Sequence, residues 1–265
     1  SIATGAAVSV MLIRAGVSPI ATLPIAFLAG ALAGMVTGLL NTALGIPGIL
    51  ASILTQISLY SINLNIMGKA NQPVSVDNYP LVVSLRYVTD GSVSRLLFFL
   101  GMIVFLLALI AVMYWYFGTE QGHAIRATGC NSNMARAQGI NTNFIKVLAL
   151  MISNGLVGLC GALYGQFQGA SDVNMGRGAI VIGLAAVIIG EVLFGKFASK
   201  RKLAFAFTLA SVILGAVIYY MVYQFVLWLK MPSEDMKLFS AIVVAIFLAI
   251  PYLKEKRTLR KGASK

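Results

Sequence analysis

Charged side chains are scarce in this 265-residue sequence. Only 11% of the residues are charged, against about 25% in a typical soluble domain, while 59% are hydrophobic and the mean hydropathy is +0.89. This combination excludes an ordinary soluble domain. It predicts an all-α, polytopic membrane helical bundle, because apolar runs of about 20 residues are long enough to cross a bilayer as helices.

Histidine and cysteine are almost absent. The single histidine, His123, cannot build a multi-histidine metal site, and Cys130 and Cys160 are too few for a disulfide framework. No HExxH motif or carboxylate pair lies in an apolar run, so we expect no catalytic residue, no metal and no cofactor. A membrane-embedded hydrolase is therefore a weak alternative.

Acidic residues are also few, and of the eight in the chain only Glu191 lies in an apolar run. A proton-driven transporter would need further buried acids or histidines, so we interpret Glu191 as part of an ion pair or a cap.

The segment Gly190–Phe197 has the glycines and lysine of a P-loop, but Phe197 replaces the Ser or Thr that binds Mg²⁺. We expect no ATPase site in this chain, and an ion-coupled secondary transporter is an alternative.

About eight apolar elements are predicted, in one domain spanning residues 1–265. They are a short half-helix and seven longer runs, at 2–13, 19–40, 49–67, 96–117, 144–165, 178–194, 203–229 and 238–253. The second carries Gly30, Gly34 and Gly38, a GxxxGxxxG row that lets helix backbones approach closely. The polar, glycine-rich segment 166–178 is interpreted as a turn or a re-entrant piece.

Basic residues divide unequally between alternate loops. The loops 118–146 and 196–202 and the tail 254–265 hold thirteen Lys or Arg and two acids, whereas 14–18, 68–95, 166–177 and 230–237 hold seven and five. Because cytoplasmic loops carry the excess of Lys and Arg, we expect the first set in the cytoplasm. The net charge of +12 then reflects membrane orientation, and nucleic acid is not an expected partner.

Polar side chains in the run 49–67 are candidates for a solute route. Several of them fall at helical spacing on one face, and polar groups at membrane depth need partners or a water-filled cavity. Hydrogen bonding between helices is the alternative interpretation. With polar residues from neighbouring runs, the substrate-pathway candidates are Asn41, Thr42, Ser52, Gln56, Asn63 and Asn154.

The longest polar interruption, 118–146, is prone to form helix. Its alanines favour helix and its glycines Gly122, Gly129 and Gly139 are expected to break it, so we predict a short helix with flanking turns across the ends of two spans. Arg126 and Arg136 offer charge-assisted contacts to a partner that supplies energy. The alternative is a solvated face near anionic lipid.

Within this segment, GHAIRATGCNSNMARAQGIN resembles the cytoplasmic coupling loop of ATP-binding cassette (ABC) importer permeases of the branched-chain amino acid and ribose type. Across the chain, three stretches are similar to the subgroup described as tryptophan/tyrosine transport permeases: GLLNTALGIPGILASILTQISLYSINLNIMGKAN, SNGLVGLCGALYGQFQGASDV and GLAAVIIGEVLFG. The matching positions in the loop are Gly122, Ala124, Arg126, Ala127, Gly129, Asn131, Met134, Ala135, Gly139 and Ile140.

The resemblance implies a multi-pass permease of the bacterial inner membrane. It implies a homodimer that works with cytoplasmic ATPase subunits and an extracytoplasmic solute-binding protein. The implied cargo is an amino acid, and the favoured amino acids are tryptophan and tyrosine. A nucleoside or sugar is the alternative cargo. The coupling loop would enter a groove on the ATPase, and the residues carried over to this contact are Gly122, Arg126, Ala127, Gly129, Asn131, Arg136 and Gly139.

The sequence departs from the family pattern in two places. Cys130, Ser132 and Asn133 occupy positions where relatives often have an acid, a proline and an acid, so this loop carries less negative charge. The family pattern also includes a first membrane helix and an acidic, glycine-containing turn before the position of Ser1. Neither is in this sequence.

Overall fold

The described part of the chain is mostly helical. The computed structural model describes residues 1–74, 81–83, 92–198, 204–228 and 245. Two three-residue strands, β1 (Asn71–Pro73) and β2 (Ala170–Asp172), pair antiparallel. The helices are α1 (Ile2–Arg14), α2 (Pro19–Thr42), α3 (Gly48–Met67), α4 (Ser92–Phe117), α5 (Glu120–Cys130), α6 (Ser132–Ala137), α7 (Thr142–Gln168), α8 (Ala179–Ala198) and α9 (Ala204–Trp228).

Five of the described helices are long and apolar enough to cross a membrane, which confirms the polytopic helical prediction. They are α2, α3, α7, the Leu96–Phe117 part of α4 and the Phe205–Gln224 part of α9. α1 and the Ile182–Leu193 part of α8 are apolar but shorter. The segment 230–237, the run 238–253 and the tail 254–265 lie outside the described residues except for position 245, so the count of about eight apolar elements stays a prediction.

The chain divides into two compact units. The first comprises Ser1–Ala108 and Trp115–Gly176, and the second comprises Leu109–Tyr114 and Arg177–Lys265. In the second unit α8 packs against α9, and Ala185, Ile189 and Tyr219 form an apolar cluster between them. The single domain 1–265 expected from the sequence stays a prediction.

The core of the first unit is the contact between α2 and α7. A side chain at Gly30 would overlap the carbonyl of Asn154, and one at Gly34 would overlap the carbonyl of Leu150. The partner residue number falls along α7 as the glycine number rises along α2, so the two helices are antiparallel. The glycine row therefore packs two backbones together, as the GxxxGxxxG pattern predicts.

A ribbon made of β1 and β2 closes one end of the first unit. Gln72 of β1 pairs with Ser171 of β2, accepts a hydrogen bond from the Arg14 guanidinium and donates one to the carbonyl of Met67. We call this the ribbon end, and we call the opposite end, which carries α5 and α6, the coupling end. The sequence prediction of a turn or a re-entrant piece in 166–178 missed this pairing, because strands of three residues have too few positions for a hydrophobic alternation.

The segment 118–146 contains two helices before α7 begins, where one was predicted. Gly122 and Gly129 lie inside α5, so the expectation that they break the helix is wrong. The break comes at Asn131, whose side-chain oxygen accepts hydrogen bonds from the backbone N–H groups of Asn133 and Met134 and so starts a new helix. Of the three glycines only Gly139 lies in a turn, with φ +83° between α6 and α7.

Candidate functional site

The coupling segment, α5 with α6, is held in shape by side chains that cap helix N-termini. Thr119 Oγ1 accepts a hydrogen bond from the N–H of Gly122 at 3.4 Å, and Asn131 caps α6. Asn141 Oδ1 accepts a hydrogen bond from the N–H of Phe144 at 3.2 Å and caps α7. Each such cap typically contributes about 1 kcal/mol, so the segment has a defined conformation before any partner binds.

One face of the coupling segment is buried and attaches it to the bundle. Gly122 is buried, and a side chain there would overlap the backbone of Tyr116 and Phe117 at the end of α4. Thr128 and Ala135 are also buried, and both helices of the segment pack against α7. The segment is therefore attached to the end of α4 and to α7.

The other face is exposed and carries most of the predicted coupling residues. Arg136 donates from Nε and Nη2 to Thr142 Oγ1, at 3.3 and 3.1 Å, which joins α6 to the first turn of α7. Asn131 acts as a cap and Gly139 as a turn, so these two residues, with Gly122, shape the segment. The predicted residues that are at least partly exposed are Arg126, Ala127, Gly129, Asn131, Arg136 and Gly139.

Met134 is a candidate contact residue that reasoning from charge did not select. Its side chain is 62% exposed on α6, between the cap at Asn131 and the Arg136–Thr142 bonds. A methionine adapts its shape to an irregular apolar groove. The sequence did point to Met134 in one way, because it is among the positions that match the coupling loop of ABC importer permeases.

The structure does not bring the predicted pathway residues together. Asn41 and Thr42, at the end of α2, and Ser52, in α3, lie toward the coupling end, and their side chains hydrogen bond to the nearby carbonyls of Ile46, Gly38 and Gly48, respectively. Asn154 lies near the middle of α7, and its Nδ2 donates to the carbonyl of Leu150 at 3.0 Å. These contacts give each of the four residues a local structural role, and their part in a route stays a prediction.

The remaining two pathway candidates, Gln56 and Asn63, lie on α3 in different surroundings. Gln56 is exposed, whereas Asn63 is 2% exposed, and its Oδ1 has no hydrogen-bond partner among the described residues. On the same helix, Thr55 accepts a hydrogen bond from Thr37 of α2 at 2.9 Å. Hydrogen bonding between helices thus explains the presence of a polar side chain at Thr55, but not at Gln56 or Asn63.

A second polar face on α3 was not singled out from the sequence. Ser58, Ser61 and Asn65 are all exposed, and their spacing of three and four residues places them on one side of the helix. Ser58 donates to the carbonyl of Leu54, which lowers the cost of facing lipid for that residue. The spacing of these three residues could have identified this face from the sequence, because it is as regular as the spacing of Ser52, Gln56 and Asn63.

Gln166 is the centre of a buried polar cluster at the ribbon end. It was assigned to a polar segment interpreted as a turn or a re-entrant piece, but α7 continues through Gln168 and Gln166 is only 1% exposed. Its Nε2 is 3.2 Å from each of the acceptors Ser9 Oγ, Thr22 Oγ1 and the Pro19 carbonyl, and its Oε1 accepts from the N–H of Val82 at 3.2 Å. One side chain therefore ties α7 to α1, α2 and the segment 81–83.

Acidic and metal-ligating side chains do not cluster in the described residues. No group of three or more His, Cys, Asp or Glu is placed there to hold a metal ion. Cys130 and Cys160 are both exposed thiols on different helices. The geometry thus provides a helical bundle, a preformed surface segment and polar groups along α3.

A family model and several relatives of this chain are named for membrane transport. The family described as "Branched-chain amino acid transport system / permease component" matches residues 1–251. A tyrosine transport system permease protein of Clostridioides difficile is 39% identical over 245 residues, which cover 92% of this chain and 77% of the relative.

Two more distant relatives are also named as permeases. The inner membrane ABC transporter permease protein YjfF of Escherichia coli is 25% identical over 178 residues, or 67% of this chain and 53% of the relative. The autoinducer 2 import system permease protein LsrC of Yersinia pseudotuberculosis is 28% identical over 226 residues, or 84% and 59%. No solved structure matches the chain significantly.

Proposed function

The chain belongs to the family of branched-chain amino acid transport system permease components, multi-pass proteins of the bacterial inner membrane, and we propose that it imports an aromatic amino acid using ATP hydrolysed by a partner subunit. Permeases of this ABC type associate with ATPase and solute-binding components. The chain supplies the transmembrane route and the surface on which the ATPase acts.

The observation that carries this proposal is the exposed face of the coupling segment. It presents Arg126, Arg136 and the apolar side chain of Met134 on two short helices whose starts are capped. Exposed cations and an exposed apolar side chain on one short segment suit a groove with an apolar floor and an acidic or carbonyl rim. In this proposal the coupling end faces the cytoplasm, and closure of the ATPase subunits moves α4 and α7 through the segment.

Charge substitutions on this face test the contact. Burying a methionine side chain stabilises an interface by about 1.5–3 kcal/mol, so Met134→Asp should weaken ATPase binding by on the order of 10- to 100-fold. Arg126→Glu should also abolish solute-stimulated ATP hydrolysis in the reconstituted complex. Asn133→Asp, a neighbouring exposed position on α6, is the matched control and should stay within about twofold of the unsubstituted complex.

The outcome can contradict the proposal. Solute-stimulated ATP turnover and co-purification of the ATPase are measured for all three variants, together with the melting temperature of the isolated permease. If Met134→Asp and Arg126→Glu both bind and stimulate the ATPase normally, the exposed face is not the coupling surface.

The proposed cargo rests on the C. difficile relative, which is named a tyrosine transport system permease protein. A similar permease is named for a different solute, autoinducer 2, so a nucleoside or a sugar is kept as the second candidate. Thermal shift of the partner binding protein with tyrosine, tryptophan, leucine, a nucleoside and ribose separates them. Stabilisation by the aromatic amino acids alone supports the first candidate.

We also propose that two copies of the chain assemble with α3 beside the route. Gln56 is the ninth residue of the twenty in α3, which places it near the middle of the span, yet its carboxamide is exposed in the protomer. A carboxamide facing acyl chains is unfavourable, so a second copy or the solute route should cover it. A single cysteine at Gln56, with Cys130 and Cys160 changed to serine, should cross-link between copies, whereas one at Leu32, exposed on α2, should not.

A further inference from the structure

A polar stripe on α3 is open over one part of its length and covered over the next. Ser52, Gln56 and Asn63 are separated by four and seven residues, which places them within about 40° of one another around the helix. Ser52 and Gln56 are exposed, but Asn63 is only 2% exposed. The three residues thus share one side of α3, but solvent can reach only the first two of them.

Helix α1 packs against α3 along the covered part. Ala7 of α1 and Met67 of α3 belong to one buried cluster with Val173, and Met11 packs against it. Both helices end at the ribbon end, since Gln72 bonds to Arg14 and to the carbonyl of Met67. One turn deeper on these facing sides come Thr4, three residues before Ala7, and Asn63, four residues before Met67.

One polar atom of each residue is buried without a hydrogen-bond partner among the described residues. Thr4 is 5% exposed and Asn63 is 2% exposed, and neither Thr4 Oγ1 nor Asn63 Oδ1 has a hydrogen-bond partner among the described residues. Thr55, also buried on α3, makes two hydrogen bonds, to Thr37 and to the Ala51 carbonyl. We call the contact between α1 and α3 the seam. A leucine in place of Asn63 would pack in the closed seam without burying a carboxamide oxygen that has no partner, so the asparagine is unfavourable there.

We propose that Asn63 is a solute-binding residue, exposed when α1 moves away from α3 during the transport cycle. With the seam open, Ser52, Gln56 and Asn63 form one continuous polar track. Asn63 Oδ1 then accepts a hydrogen bond from a donor on the solute, such as an ammonium, indole N–H or phenol O–H group. This inference rests on the proposed function for the identity of the solute.

Cysteine accessibility tests the opening of the seam. In the complete complex, with Cys130 and Cys160 changed to serine, Asn63→Cys is compared with Thr55→Cys, which is also buried on α3. A membrane-impermeant thiol reagent should modify the Asn63→Cys variant at least tenfold faster when ATP and loaded binding protein are present, and the Thr55→Cys variant at an unchanged rate. Equal rates for the two variants under cycling conditions would overturn the proposal.

Protection distinguishes the solute from water as the source of the hydrogen-bond donor. Excess tyrosine or tryptophan should slow the modification of the Asn63→Cys variant in the cycling complex. Acceleration by cycling without protection by solute means that only water reaches this position, and this result also overturns the assignment of a binding residue.

Asn63→Leu gives a readout that a purely structural role would not produce. The melting temperature should stay equal to or above that of the unsubstituted permease, while uptake falls by on the order of tenfold through a higher KM. Thr55→Val is the control and should keep uptake within about twofold. A lowered melting temperature, or unchanged uptake, for Asn63→Leu counts against the proposal.

The same experiments separate this proposal from the proposed function. Uptake by the unsubstituted complex that is independent of ATP contradicts the function. ATP-dependent uptake combined with an inaccessible, unprotected thiol in the Asn63→Cys variant contradicts only the role of Asn63.

Discussion

Gln166→Leu is expected to destabilise the permease strongly, although it places an apolar side chain in an apolar span. The substitution removes a fully buried carboxamide that bonds α7 to α1, α2 and the segment 81–83. Leucine has a similar size, so the effect should come from lost hydrogen bonds and not from a cavity.

The magnitude follows from which partners are left without a bond. Thr22 still donates to the Pro19 carbonyl at 2.7 Å and still bonds to Ser9 at 2.9 Å, so those groups keep a partner. The N–H of Val82 loses its acceptor, and the two N–H groups of the carboxamide no longer contribute. At about 0.5–1.5 kcal/mol for each bond, the net loss in unfolding free energy should be about 2–3 kcal/mol.

Thermal unfolding in detergent measures this loss. For a chain of this size about 1 kcal/mol corresponds to 2–4 °C, so the melting temperature should fall by about 5–10 °C. Gln168→Leu is the matched control, because Gln168 lies two residues away on α7 with an exposed bond to the Tyr164 hydroxyl. Its effect should stay within about 0.5 kcal/mol. Equal melting temperatures for the two variants would refute the role given to Gln166.

Three further predictions concern packing, the coupling segment and membrane sidedness. Gly34→Leu should prevent stable folding because its side chain would overlap the Leu150 carbonyl, whereas Gly101→Leu, with open space around it on α4, should fold normally by size-exclusion chromatography. Asn131→Ala should lose about 1 kcal/mol of capping free energy and speed hydrogen exchange in α6, while Asn133→Ala should not. To test sidedness, Cys130 and Cys160 are changed to serine and an impermeant thiol reagent is added to intact cells. The reagent should label Asn71→Cys, in β1, and should not label Gln138→Cys, beside α6. The reverse pattern would contradict a coupling end that faces the cytoplasm.

The spans were predictable from the sequence because hydropathy and glycine spacing are local signals. The predicted runs 19–40 and 49–67 correspond to α2 (Pro19–Thr42) and α3 (Gly48–Met67), with ends that differ by at most two residues. The glycine row of α2 also identified its packing face. Its partner, α7, could not be inferred, because the contacts with Leu150 and Asn154 come from a distant part of the chain.

The polar residues were harder to place because their surroundings depend on contacts far apart in sequence. Gln166 belongs to a polar stretch and was assigned to a turn or a re-entrant piece, but Ser9 and Thr22, 157 and 144 residues away, supply the partners that allow it to be buried. On α3, spacing grouped Ser52 with Asn63 but could not show that only one of them is covered. In the coupling segment, the cap at Asn131 ended α5, whereas helix propensity had indicated breaks at Gly122 and Gly129.

The most direct test of the whole account is solute uptake by reconstituted proteoliposomes with and without the partner subunits. The account predicts uphill uptake of tyrosine or tryptophan only when the permease, the ATPase, the loaded binding protein and ATP are all present. Uphill uptake by the purified permease alone, driven by an ion gradient, would contradict it.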